Sequence, residues 1–116
     1  MFTLTSTEKY YLYSAAVDMR NGFNGLSGIV NNILGRLPEL REVYIFINKQ
    51  KNKMKLLHYE SGGFTVYYKR LEAGRFEHKL SAPNFDQINW SKLILIVEGI
   101  IIEKSKQKKR YLLQKS

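Results

Sequence analysis

Lys49, Lys51, Lys53 and Lys55 recur at every second position of the stretch NKQKNKMKLLHY. Alternate side chains of an extended strand share one face, so this spacing predicts a row of cations along a loop and the strand that follows it. A second basic group lies in YYKRLEAGRF, where Lys69, Arg70 and Arg75 surround a glycine turn and Tyr67 alternates with Lys69. Ammonium and guanidinium groups neutralise phosphates, and aromatic rings stack on exposed bases. The plain alternative is a solvated sheet face whose lysines guard an edge. The excess of bases along the whole chain favours nucleic-acid contact over that alternative.

Other residue types offer less chemistry. His58 and His78 are expected on neighbouring strands, facing each other. A metal site needs three or four ligands, and the chain contains no cysteine to supply the rest. The carboxylates are scattered among turns and bases, so no paired set for two-metal strand cutting is recognised. The glycines of RNGFNGLSG lack the lysine and hydroxyl of a nucleotide-binding loop. No cofactor, metal or catalytic residue is therefore expected.

The elements that must position these groups are legible from periodicity. KYYLYSAAV (residues 9–17) reads as a first strand. Phe23, Leu26, Ile29, Val30, Ile33 and Leu34 form a helical stripe, with Asp18 as its expected cap and Gly35 as its stop. Gly22, Gly25 and Gly28 within that segment are expected to let the helix backbone pack closely on a sheet. VYIFI, KMKLLHY, FTVYYKR and RFEHKL are four short strands with glycine-containing or polar turns, which predicts an antiparallel meander. SAPNFDQIN is expected as loop, and WSKLILIVEG as a helix ending at Gly99.

The chain has 116 residues, a net charge of +9 and a pI near 9.8. This length suits one domain, expected over residues 1–103, with a basic tail over 104–116. The expected class is α+β: a small antiparallel sheet, one or two packed helices and a basic C-terminal extension. Lys106, Lys108, Lys109 and Arg110 lie in that tail, which is expected to be a mobile segment that adds nonspecific DNA affinity without contributing to core stability. No apolar stretch approaches the roughly 20 residues of a membrane span. The start, MFTLTSTEKY, lacks a secretory pattern, so the cytoplasm is the expected compartment.

DMRNGFNGL (residues 18–26), the long stretch VYIFINKQKNKMKLLHYESGGFTVYYKRLEAGRF (43–76) and WSKLILIVEGI (90–100) resemble the TnpB, or Orf-two, accessory proteins of the insertion-sequence-sixty-six family. Two places depart from that pattern: Tyr59-Glu60 stands where the family often has Trp-Asp, and the residues after Glu98 do not end in Asp-Trp. The resemblance implies a role in transposition beside a separate transposase that carries the strand-cutting carboxylates. The expected function is thus a non-catalytic accessory protein. Its expected partners are duplex DNA at the element ends and the transposase of the same element; no membrane contact is expected, and no oligomeric state is read from the sequence. The competing expectation is a small basic ribonuclease of the mRNA-cutting toxin type, with His58 or His78 as base and Arg70 or Arg75 on the phosphorane.

Overall fold

A computed structural model describes residues 5–98. The chain order is β1 (Lys9–Tyr13), α1 (Phe23–Leu34), β2 (Glu42–Ile47), β3 (Lys53–Glu60), β4 (Gly63–Arg70), β5 (Phe85–Ile88) and α2 (Trp90–Glu98). The strands form one sheet in the order β4-β3-β2-β1-β5. β2, β3 and β4 make the expected antiparallel meander, and β1 pairs antiparallel with β5 but parallel with β2. The fold is α+β, with a mostly antiparallel sheet.

Strand parity divides the core in two. Tyr10, Leu12, Val43, Ile45, Ile47, Met54 and Leu56 pack with Leu93 and Ile96 of α2. Tyr13, Tyr44, Phe46 and Leu57 pack with Leu26 and Val30 of α1. Each face of the sheet therefore carries one helix. β2 lies inside both layers, and all six of its residues are buried, which is why it reads as a continuous apolar run rather than an alternating one. In α2, the Asn89 side chain accepts the N–H of Lys92 at 2.8 Å and caps the helix start.

Several expectations are corrected. β1 stops at Tyr13 rather than Val17. Asp18 does not cap α1: the cap position is Gly22, without a side-chain bond, and Asp18 is held instead by Arg20. Gly35 does close the helix, in the left-handed conformation, with its N–H on Asn31 O. The helix glycines do not serve close approach to the sheet. A Cβ at Gly28 would meet nothing within 4 Å, and one at Gly25 would meet the Asn21 side chain.

The end of the chain is also rearranged. SAPNFDQIN contains β5, whose Phe85 ring lies 5.0 Å from Tyr13 and 5.2 Å from Tyr44 between centroids. RFEHKL is not a strand returning along β4. Because β4 and β5 are opposite edges, residues 71–84 have to cross the sheet, and they bond to loops on the way: Leu71 N–H to Asn52 O, Phe76 N–H to Lys51 O and Ser81 N–H to Ser14 O. Phe76 is buried in the α2-side core. The expected helix stop at Gly99, the domain boundary at 103 and the tail with Lys106, Lys108, Lys109 and Arg110 lie outside the described residues. Among the described residues, no helix is long and apolar enough to cross a membrane.

Candidate functional site

The basic side chains gather at one end of the sheet, where β2 ends, β3 begins and β4 ends. The β2–β3 loop is built around Asn48, a buried residue. Its Oδ1 accepts the N–H groups of Asn52 and Lys53, each at 3.0 Å. Its Nδ2 donates to Asn52 Oδ1 at 2.8 Å and Gln50 Oε1 at 3.2 Å. Lys51 takes a left-handed backbone conformation, φ 63°, and its carbonyl accepts Phe76 N–H at 2.7 Å. One neutral amide thus fixes the loop, with Lys49 exposed and Lys51 and Lys53 half-buried beside it.

Opposite this loop lies the segment after β1. Val17 N–H bonds Ile47 O at 3.0 Å, and the Lys55 ammonium bonds Asn21 O at 2.8 Å, so the DMRN segment is pinned to the sheet. The Arg20 guanidinium grips Asp18 through Nε and Nη2, the latter at 2.7 Å. These side-chain bonds, aided by Arg20's own backbone N–H, hold the Asp18 carboxyl down at about 2. Between segment and loop is an open cleft of about 570 Å³ whose lining includes Asp18, Arg20, Asn48, Lys49, Lys53 and Tyr68.

The expected contact residues divide by strand parity. Lys53 pairs in register with Arg70, and Lys55 with Tyr68, so these four belong to the α1 face. Lys49, Lys51, Lys53 and Arg70 have no carboxylate within ion-pair distance among the described residues. Arg75 is exposed and directly precedes Phe76, whose N–H bonds Lys51 O. Tyr67 and Lys69 do share a face, but it is the α2 face. Tyr67 packs half-buried against that core, and the Lys69 ammonium bonds Val97 O near the end of α2 at 2.8 Å. The exposed ring beside the bases is Tyr68 instead, 54% exposed, with Lys55 Nζ 5.3 Å from its centroid. Tyr68 and Arg20 are among the cleft residues that sequence reasoning passed over. Register was the missing signal: Tyr68 has the parity of Lys53 once β3 and β4 are paired around Ser61-Gly62.

The two histidines are not neighbours. His58 is buried at the far end of the sheet, its Nε2 2.5 Å from Glu8 Oε2 and its Nδ1 3.8 Å from Glu60 Oε2. His78 lies on the crossing segment, in a separate depression with Leu12, Ser14 and Asp86. Burial and the nearby Lys51 charge lower its pKa. Neither lines the cationic cleft, and among the described residues no three His, Asp or Glu side chains form a metal-binding group.

A family model described as IS66 Orf2 like protein matches residues 8–107. An uncharacterized protein, y4jC, of Sinorhizobium fredii (strain NBRC 101917 / NGR234) is 30% identical over 60 residues, 52% of this chain and 51% of the relative. The chain thus spans about half the length of the curated relative it matches. No solved structure matches it. With a match that runs from the first strand through the cationic loop and both helices, the chain belongs to the IS66 Orf2-like family, which associates it with insertion-sequence transposition.

Proposed function

We propose that this protein is a non-catalytic accessory protein of transposition that holds duplex DNA of the element ends on its cationic end, beside the transposase of the same element. The observation that carries this reading is the set of Lys49, Lys51 and Lys53, without a carboxylate partner among the described residues, on a loop fixed by Asn48. Lysines on a pre-shaped loop can meet consecutive phosphates without first ordering the backbone. Arg70 and Arg75 extend the same surface, and the Tyr68 hydroxyl supplies a donor of the kind that positions a phosphate. Lys55, Tyr67 and Lys69 contribute to the architecture around this surface. Lys106, Lys108, Lys109 and Arg110 add cations from the C-terminal segment.

The ribonuclease reading places its general base on His58 or His78, and neither histidine lines the cationic cleft. The accessory reading therefore expects the purified protein to cut neither DNA nor RNA with magnesium or manganese.

The test is a salt titration of duplex binding. Replacing Lys49, Lys51 and Lys53 together with glutamine should weaken binding and reduce the slope of log K against log salt by roughly 0.9 for each phosphate that is no longer neutralised. An unchanged slope removes the loop from the interface. A pull-down with labelled element ends, with and without the transposase, separates direct DNA contact from contact made through the transposase.

A further inference from the structure

The two edges of the sheet are unlike. β5 has four residues, carries Asp86 and follows closely on Pro83. β4 has eight residues and no proline, and Phe64 and Tyr68 are exposed along it. Natural edges are usually blunted by shortness, proline, bulges or charge. On β4 the charges, Lys69 and Arg70, are confined to one end.

Among the described residues, the outer side of β4 is an unpaired ladder. Ser61 and Gly62 join β3 to β4, and the strands close on the pair Glu60↔Gly63. A two-residue hairpin closes on a hydrogen-bonded pair. Gly63, Thr65, Tyr67 and Lys69 therefore direct their N–H and C=O groups toward β3. Phe64, Val66, Tyr68 and Arg70 direct theirs outward, where no other strand of the described residues pairs with them.

We propose that a second copy of this chain adds its own β4 to this edge, antiparallel, about a two-fold axis through Val66 and normal to the sheet. The sequence of β4 is complementary to itself in that register. Val66 faces Val66, Phe64 faces Tyr68, Thr65 faces Tyr67 and Gly63 faces Lys69. Both Phe–Tyr pairs fall on the α1 face, where an aromatic cross-strand pair stabilises a ladder. Arg70 falls opposite Gly62, so no cation faces a cation. Moving the axis to Tyr67 would exchange the Phe–Tyr pairs for a single Tyr–Tyr pair and set Arg70 against Phe64. The pairing does not rest on the DNA reading. Its symmetry does bear on it: the two cationic ends then point in opposite directions along the joint sheet, open to two separate DNA segments.

Cysteine cross-linking of the full chain tests both the edge and the register, because the natural chain has no cysteine. Opposed residues of a hydrogen-bonded antiparallel pair have Cα atoms about 5.5 Å apart, inside the range a disulfide spans. Under mild oxidation Val66→Cys should form a covalent dimer at least roughly tenfold faster than Phe64→Cys or Tyr67→Cys. Light scattering should give the wild-type chain a dimer mass at micromolar concentration. Val66→Pro, which removes only an outward N–H, should give a monomer. If that variant does not fold, Val66→Lys, which sets like charges face to face, carries the same expectation, with folding followed by circular dichroism. A wild-type monomer at every concentration overturns the proposal, as does fastest cross-linking at Tyr67→Cys. A monomer in which Val66→Cys joins a cysteine introduced at Ile101 of the same chain would assign the edge to the chain's own C-terminal segment.

Discussion

β2 is bracketed by two buried polar residues, Glu42 at its start and Asn48 just beyond its end, and they organise opposite ends of the sheet in opposite ways. At the Glu42 end, charge is neutralised. The Glu42 carboxylate, 5% exposed, receives both Nη atoms of Arg36 at 2.9 and 2.8 Å, the Tyr44 hydroxyl at 2.7 Å and the Glu39 N–H at 2.8 Å. Nearby, Glu8 lies between His58 and Arg41. At the Asn48 end a neutral amide does the organising, and Lys49, Lys51, Lys53 and Arg70 carry no carboxylate partner among the described residues. The difference teaches a division of labour within one sheet. A buried carboxylate locks structure where its charge is consumed. A neutral amide locks a loop and leaves its cations without a carboxylate partner among the described residues.

The comparison breaks most visibly at Glu42. Removing one partner of a buried ion pair leaves the others unsatisfied and can cost 3–5 kcal/mol. Arg36 is partly exposed and can retreat to water, so Glu42→Ala should destabilise by about 2–3 kcal/mol, measured by urea unfolding. Duplex affinity of the folded fraction should be unchanged, since the cationic end lies across the sheet. Loss of both together would mean that the two ends are coupled. The pH profile carries the same information. Burial pushes the Glu42 carboxyl up, but the bonds from Arg36, Tyr44 and Glu39 outweigh it and hold the folded pKa below the ordinary 4.5. A depressed carboxylate stabilises the fold at pH above its unfolded value, and that contribution is lost as pH falls through the folded value. Melting temperature should therefore decline below about pH 4.5, and Glu42→Gln should flatten that part of the decline.

A smaller effect is expected at Asn48, and it sharpens the contrast. Asn48→Ala leaves the N–H groups of Asn52 and Lys53 without their acceptor, at a cost of about 1–3 kcal/mol. The lysines remain, so the salt slope of DNA binding should hold while affinity drops at every salt concentration. That pattern identifies a residue that positions charge without carrying it. A reduced slope with unchanged affinity at low salt would contradict it.

Much of this arrangement was legible in the sequence. Alternation in KMKLLHY assigned Met54, Leu56 and His58 to one face, and the structure keeps them there, because residue parity survives whatever covers the sheet. The meander was legible because Gly62 and the polar NKQKNK segment mark its turns. What escaped depends on distant partners. FDQI has too little apolar character to announce a strand, and it becomes one because β1 offers a free edge and Phe85 meets Tyr13, Tyr44 and Phe46. RFEHKL alternates like a strand but has to travel to the opposite edge. In the site, the lysine row was visible in the spacing. The placement of Tyr68 rather than Tyr67 beside it required the β3–β4 register and the position of α2.

The smallest expected effect lies at Lys51, where local strain and surface charge meet in one residue. Its φ of 63° is a region that an L-residue other than glycine enters at a cost of about 1–2 kcal/mol. The loop requires it there: Lys51 N–H bonds Asn48 O at 3.0 Å, and Lys51 O receives Phe76 N–H. Glycine keeps both backbone bonds and relieves the strain, but it enlarges the freedom of the unfolded chain, which offsets part of the gain. Lys51→Gly should therefore change stability by less than about 1 kcal/mol, in the stabilising direction. The ammonium is removed at the same time, so the salt slope of duplex binding should fall by roughly 0.9. Strain at Lys51 would then be tolerated because the position carries a cation. If Lys51→Gly instead lowers the melting temperature by several degrees, the half-buried stem of Lys51 packs on the crossing segment and its place in the loop is structural. If stability rises and the slope is untouched, the loop's contact with phosphate rests on Lys49 and Lys53 alone.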